Sequence, residues 1–302
     1  MKSERFDIHQ EITNRIVEAI EAGAGDFKMP WHVSADLRAP LNAHTKRAYR
    51  GVNVLTLWLT SHIQGFASSE WASFKQWQER GCQVRKGEKG TPIVFYKQLV
   101  GEDADPATGN TTERRIPFAR ASWVFNAAQV DGADLPEAPA PLAPLFERIE
   151  HVEQIVAATG ARIEHGGQRA FYRPSTDSIQ MPDAGLFTGT DTSTAQEAYY
   201  STMLHELGHW TGAEPRLNRT RGKRFGDKAY AYEELVAELS AAFLCNDLQI
   251  TVTPRADHAQ YLASWLEVLK DDKRAIFSAA SEATAATAYI LKTSASEESE
   301  AA

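Results

Sequence analysis

Cysteine is almost absent: the chain has two in 302 residues, Cys82 and Cys245. So distant a pair makes no disulfide framework, and free thiols in a reducing, cytoplasmic setting are expected. No stretch approaches the roughly 18 consecutive apolar residues of a membrane span. Residues 1–7 lack the apolar core of a secretion signal, so no membrane partner is expected. No internal repeat is visible. Positive charge is not in surplus either. The formal net charge of −8 argues against a general polyanion binder and leaves room only for a local anion site. What remains, 43% hydrophobic and 24% charged, is ordinary globular composition, long enough for two domains.

Against that background one motif stands out. His205-Glu206-Leu207-Gly208-His209 reads H-E-x-x-H. On a helix, positions i and i+4 share a face, so both imidazoles reach one cation. Glu206, one step round, is placed to act as general base for water activated by the metal. Imidazole ligands favour Zn²⁺, with Mn²⁺ as another divalent candidate. The helix is itself predicted. Thr194-Ala195-Gln196-Glu197 has the form of a capping box, and Gly212 is a natural stop. A third ligand is sought in Tyr232-Glu233-Glu234-Leu235-Val236-Ala237-Glu238-Leu239. Glu234 and Glu238 share a helical face, so one can bind metal while the other accepts from a ligand histidine. Glu233 is the rival ligand, and a solvated acidic face is the ordinary alternative. The arrangement resembles the gluzincin metallopeptidases. That resemblance implies Glu234 as third ligand and Glu238 behind a histidine.

The charge is unevenly spread. Residues 28–97 hold eleven Lys/Arg against four Asp/Glu, a local +7 that leaves −15 for the rest. Five of the seven tryptophans, Trp31, Trp58, Trp71, Trp77 and Trp123, fall before residue 131. Aromatics interleaved with cations suit single-stranded nucleic acid, whose bases stack while cations follow the backbone. Trp58 lies in an apolar helix and reads as core. The candidate DNA contacts are Trp31, Arg50, Trp71, Lys75, Trp77, Arg85, Lys86 and Lys89. The last three lie on a glycine-rich turn with accessible backbone at Gly87 and Gly90. A solvated hairpin is the bland alternative for that turn.

In order, the pattern predicts a helix over residues 6–21, with Ile8, Ile12, Ile16 and Ile20 on one stripe. Helices follow to residue 64 and over 73–80, then strands 92–97 and 116–126 around a mobile polar tip at 101–115. Residues 131–144 carry four prolines and read as a semi-rigid linker. Beyond it come a helix over 145–159, short strands at 161–165, 169–173 and 178–181, the two motif helices, and a helix over 258–279. Residues 293–302 are small, polar and acidic and are expected to be disordered. The linker predicts halves that fold separately, so that residues 1–135 alone would bind DNA.

Tyr49-Arg50-Gly51-Val52-Asn53-Val54-Leu55-Thr56-Leu57-Trp58, the strand ending at Lys97, the proline linker, HELGHW, RLNR and YEELVAEL occur together and in order. That set resembles plasmid antirestriction proteins of the ArdC type along nearly the whole chain. The same N-terminal half is similar to the antirestriction region of plasmid TraC primases. The resemblance implies an α+β protein of two domains. Residues 1–130 are the single-stranded DNA-binding domain, 131–144 the linker, 145–292 a zincin-like (gluzincin or SprT-like) metallopeptidase domain, and 293–302 the tail. It also implies protection of incoming conjugative DNA from host restriction, with a host restriction component as a candidate protein substrate. Two other readings stand beside it: a DNA-associated metalloprotease that cleaves DNA-bound proteins, and a non-catalytic protein stabilised by its metal. The intact Glu206 speaks against the second, because a structural site needs no base. Acidic DNA mimicry is opposed by the basic segment.

Overall fold

The isoleucine stripe folds as α1 (Ile8–Gly23), and Ile8, Ile12, Ile16 and Ile20 are all buried. A computed structural model of the chain describes residues 6–23, 29, 38–104, 111–133, 142–191, 193–219, 228–252 and 258–300. Trp31 and residues 134–141 of the expected linker lie outside the described residues. After α1 come β1 (Leu41–Asn42), α2 (Val52–Gln64), β2 (Glu70–Ser73), α3 (Phe74–Glu79), β3 (Gln83–Val84), β4 (Thr91–Ala104), β5 (Thr111–Asn126) and β6 (Val130–Asp131). Helix α2 stops at Gly65, whose φ of 67° is left-handed, a conformation glycine adopts without strain. Asn53 fastens α2 to β4. Its amide donates to the Val94 carbonyl at 2.8 Å and its oxygen accepts from the Val94 N–H at 2.9 Å.

Four strands form one sheet in the order β1-β2-β5-β4, and β3 pairs with β6. The β4–β5 ladder runs from Thr91↔Val124 out to Ala104↔Thr111. The ladder therefore extends through residues 101–104 and 111–115, expected as a mobile tip. Backbone pairing needs no apolar side chain, so polar residues continue the strands. Residues 105–110 lie outside the described residues.

The second half opens with α4 (Leu145–Ala158). A small sheet of β7 (Arg162–His165), β8 (Phe171–Arg173) and β9 (Ser178–Met181) comes next, in the order β7-β9-β8. Then come α5 (Ala195–Thr211), α6 (Lys228–Asp247), α7 (His258–Asp271) and α8 (Ala275–Glu300). The helix expected over 258–279 is two helices. Asp272 breaks it by accepting from the Arg274 N–H at 2.8 Å, a local bond that competes with helix continuation. Helix α8 then runs to Glu300, so residues 293–300 are helical where a disordered tail was expected. Ala, Ser and Glu there carry no helix breaker.

The main core is shared by the two halves, while a smaller one around Trp77, Cys82 and Val130 belongs to the first half. One cluster joins Ile12, Ile16 and Trp58 to Phe243, Trp265 and Ile276. The Trp58 and Phe243 rings lie 5.9 Å apart. Thr13 donates to the Lys273 carbonyl at 2.8 Å, and the Gly51 N–H to Thr284 at 3.2 Å. Helices α7 and α8 thus cover α1 and α2. Proline spacing reports chain stiffness but not what packs across it, which is why the sequence suggested independent folding.

Candidate metal centre and nucleic-acid surface

Helix α5 starts where the capping box placed it. Thr194 accepts from the Glu197 N–H, and Glu197 accepts from the Thr194 N–H in return. Buried Glu197 also accepts from the Thr251 N–H at 3.1 Å and lies 3.5 Å from the half-buried Arg148. This fixes the axial position of α5 and hence of its H-E-x-x-H turn. Helix α6 is buried on nearly every side, as a helix with apolar residues all round must be. It lies against α5 with very little clearance. A Cβ on Gly208 would stand 3.1 Å from the Ala237 Cα and 3.2 Å from its carbonyl. A small residue between the two histidines therefore permits the helix approach on which the site depends.

That approach brings His205, His209 and Glu234 together, with one ligand atom from each within 4.8 Å of the others. His205 Nε2 is 3.6 Å from Glu234 Oε2, and His209 Nε2 is 3.5 Å from Glu234 Oε1. Four donors roughly 2.0–2.1 Å from a tetrahedral zinc stand about 3.4 Å apart, so this buried set fits such a cation. Two imidazoles and one carboxylate are also the donor types of a three-ligand catalytic site.

Each histidine has an acid behind it. His205 Nδ1 lies 3.4 Å from Glu238 Oε2, and His209 Nδ1 lies 3.4 Å from Glu233 Oε1. The structure therefore separates three neighbouring acids. Glu234 faces both Nε2 atoms, while Glu233 and Glu238 sit on the far side of one ring each. Burial pulls the His209 pKa down, but the Glu234 charge and the bonds to Glu233 and Glu234 outweigh it and lift it to about 10. Burial likewise pushes the Glu234 carboxyl up, and the two histidines more than reverse this, holding it well below the usual range.

Two arginines of the R-L-N-R segment brace the site. Buried Arg219 donates to both Glu233 oxygens, at 2.7 and 3.1 Å, to the Gly208 carbonyl at 2.7 Å and to Thr211 at 2.8 Å. It neutralises Glu233 and satisfies a carbonyl at the end of α5. Arg216 stacks 3.9 Å over the Trp210 ring and donates to the Trp210 carbonyl at 2.6 Å. It also donates to Asp177 at 3.0 Å and to the Tyr172 hydroxyl at 3.3 Å, tying the β8–β9 turn to α5. The tie has a consequence for the base: the backbone N–H of Tyr172 donates to Glu206 Oε2 at 2.9 Å. Strand β8 lies at the sheet edge. Sequence reading missed Arg216, Arg219 and the Tyr172 amide. Only paired arginines just after the motif helix hinted at the first two.

The expected DNA contacts divide. Trp71 and Trp77 are corrected: both are fully buried, and the Trp77 indole N–H donates to the Phe125 carbonyl at 3.0 Å. Neither ring offers a face to a base. Trp71 packs into the main core and Trp77 into the smaller one with Ala72, Cys82 and Val130, and sequence periodicity does not reveal this in such short elements. Arg50, Lys75, Arg85, Lys86 and Lys89 are exposed. Arg50 stands beside Gly51, where the halves meet. Lys75 lies near Glu79 at 3.6 Å, and Arg85 lies near Glu88 at 3.1 Å and Asp131 at 3.7 Å. Among the described residues of the first half, the exposed aromatics are others: Phe6, Phe74, Phe95, Tyr96 and Trp123. Among the described residues, no helix is long and apolar enough to cross a membrane.

Residues 6–125 match the family model for the N-terminal domain of anti-restriction factor ArdC, and residues 150–282 that for a zincin-like metallopeptidase. Crystal structures of antirestriction ArdC from the R388 plasmid superpose on 96% of this chain and 99% of theirs. The metal-free form has a TM-score of 0.75 at 39% identity, and the Mn(II)-bound form 0.74 at 36%. The uncharacterized protein y4eC of Sinorhizobium fredii is 47% identical over 92% of this chain and 89% of its own length. The DNA primase TraC of Escherichia coli is 38% identical over 94% of this chain, which spans 27% of that primase.

Proposed function

Since the chain belongs to the ArdC family of antirestriction proteins, we propose that it binds single-stranded DNA through its N-terminal half, protects incoming conjugative DNA from restriction, and cleaves a protein substrate at a divalent-metal centre. The observation that carries the peptidase part is the convergence of His205, His209 and Glu234 beside Glu206. A relative that binds Mn(II) supports a divalent ion, and the donor set suits Zn²⁺.

His205, His209 and Glu234 are the metal ligands in this reading. An ion held by them would supply Lewis acidity, which would polarise a scissile carbonyl and make water a better nucleophile. Glu206 is the general base: it takes a proton from the attacking water and passes it to the leaving nitrogen. The Tyr172 N–H fixes one Glu206 oxygen, so the carboxylate does not swing away from its target. Glu233 and Glu238 orient His209 and His205. Because these acids fill the Nδ1 sides, each ring presents Nε2 to the ion.

The test uses the purified full chain with zinc or manganese, labelled single-stranded DNA and an unfolded protein substrate, with and without chelator. His205→Ala is expected to lose bound metal by elemental analysis, and Glu206→Gln to keep it while losing proteolysis. Full metal occupancy in His205→Ala, or proteolysis that survives in Glu206→Gln, would overturn the assignment. Undiminished protection by Glu206→Gln during conjugation would separate antirestriction from peptidase chemistry.

A further inference from the structure

Four aromatic residues line one face of the β4–β5 hairpin. Trp123 is 47% exposed, and Phe6, 52% exposed, packs on it with ring centroids 5.6 Å apart. Phe125 lies two positions along the same strand and so projects to the same face. Phe74, 43% exposed, meets Phe125 edge-on at 6.4 Å. Between Trp123 and Phe125 lies Gly90, where a Cβ would stand 3.0 Å from the Trp123 Cβ and 3.1 Å from Phe125 Cζ. Glycine therefore leaves the row uninterrupted. Opposite Trp123 on β4 stands Pro92, so no large side chain overlies the indole from its cross-strand neighbour.

At its Phe74 end the row opens into a groove of about 690 Å³, lined also by Arg85, Lys86 and Gly87 and by the acids Glu88 and Asp131. Gly87 has φ of 93°, the left-handed bend that turns the chain back here. Arg85 is held by Glu88, Asp131 and the Ala128 carbonyl. Lys86 and Lys89 are exposed and form no ion pair among the described residues. A row of exposed rings marks an interaction surface, and uncommitted lysines at one end select an anionic partner. Flat rings in sequence beside cations fit a chain of unpaired bases, whereas a duplex hides its base faces.

We propose that this row is the binding surface for single-stranded DNA, with bases stacked on Trp123 and Phe74 and phosphates passing Lys86 and Lys89. The proposal rests on the reading of the protein as a single-stranded DNA binder and places that activity on a particular face. Anisotropy titration of the full chain with a labelled oligothymidylate tests it. Trp123→Ala and Phe74→Ala each weaken binding by about 5- to 150-fold, the worth of one stacked base. Trp123→Phe, which keeps a ring, recovers most of the loss. Lys86→Gln with Lys89→Gln flattens the salt dependence by about 0.7 log–log units for each phosphate no longer neutralised. Phe146→Ala, an exposed ring on α4, leaves affinity unchanged.

A second readout needs no destabilising variant. Trp123 is the one exposed tryptophan among the described residues, so oligothymidylate should shield it from acrylamide in the wild-type chain, a change absent from Trp123→Phe. If the wild type binds but shows no shielding, or if folded Trp123→Ala and Phe74→Ala both bind normally, the row is wrong and the activity lies elsewhere. If the wild type does not bind single-stranded DNA at all, the underlying reading falls with it.

Discussion

At the scale of single residues, the candidate metal centre depends on charges that lie outside its three donors. Glu233 is buried between the His209 ring and the Arg219 guanidinium. Removing one partner of such a pair costs about 3–5 kcal/mol, because the other charge stays buried and uncompensated. Arg219→Met should therefore destabilise the fold and, by freeing Glu233 to leave the His209 ring, weaken zinc binding by about 10–100-fold, the usual effect of losing an orienting partner. Combining Arg219→Met with Glu233→Gln removes both charges, which should restore stability but not zinc affinity. Arg216 touches neither a histidine nor the acid behind one, so Arg216→Met differs from Arg219→Met. It should leave zinc affinity intact and lower proteolysis, since Arg216 acts on Glu206 only through β8. Thermal melts and competitive zinc titrations check all three. Normal affinity in the double variant would show that His209 needs no acid behind it.

At the scale of elements, the contact of α5 with α6 is decisive. A methyl group at position 208 meets the Ala237 backbone, which cannot rotate away as a side chain can. Gly208→Ala should raise intrinsic helix propensity and still destabilise the protein by about 1–3 kcal/mol through overpacking. It should also lower metal affinity, because α6 carries Glu234 and α5 carries both histidines. Denaturant melts with and without metal distinguish the two effects. A Gly208→Ala protein more stable than wild type, with unchanged affinity, would mean the helices have slack. The capping box of α5 was legible in sequence because Thr194 and Glu197 act locally. The break at Asp272 was not, since the apolar stripe of α7 runs up to it. Nor was the Tyr172 amide, because a strand's sequence does not say which of its N–H groups faces a distant helix.

At the scale of the molecule, the shared core predicts shared stability. Trp58 of α2 packs on Phe243 of α6, so Trp58→Ala should cost about 3–5 kcal/mol. Loss of DNA binding and loss of bound metal should then occur at the same denaturant concentration, in the wild type as in the variant. Two separate transitions would instead support halves that fold alone, as the proline-rich linker first suggested.

The amino-acid sequence by itself determined the features that local geometry dictates. Residues four apart share a helical face whatever the helix packs against, so His205 and His209 were paired from their spacing, and Glu234 with Glu238. Composition likewise located the basic segment, since charge can be counted without coordinates. Only the tertiary structure decided which acid stands behind which imidazole, because that depends on how α6 is rotated against α5, and the whole core sets that rotation. It alone decided which rings are wet: Trp71 and Trp77 lie inside, while Phe74 and Trp123 lie outside. Tryptophan gains free energy from burial wherever the fold offers room, and the room is defined by chain segments far away in sequence.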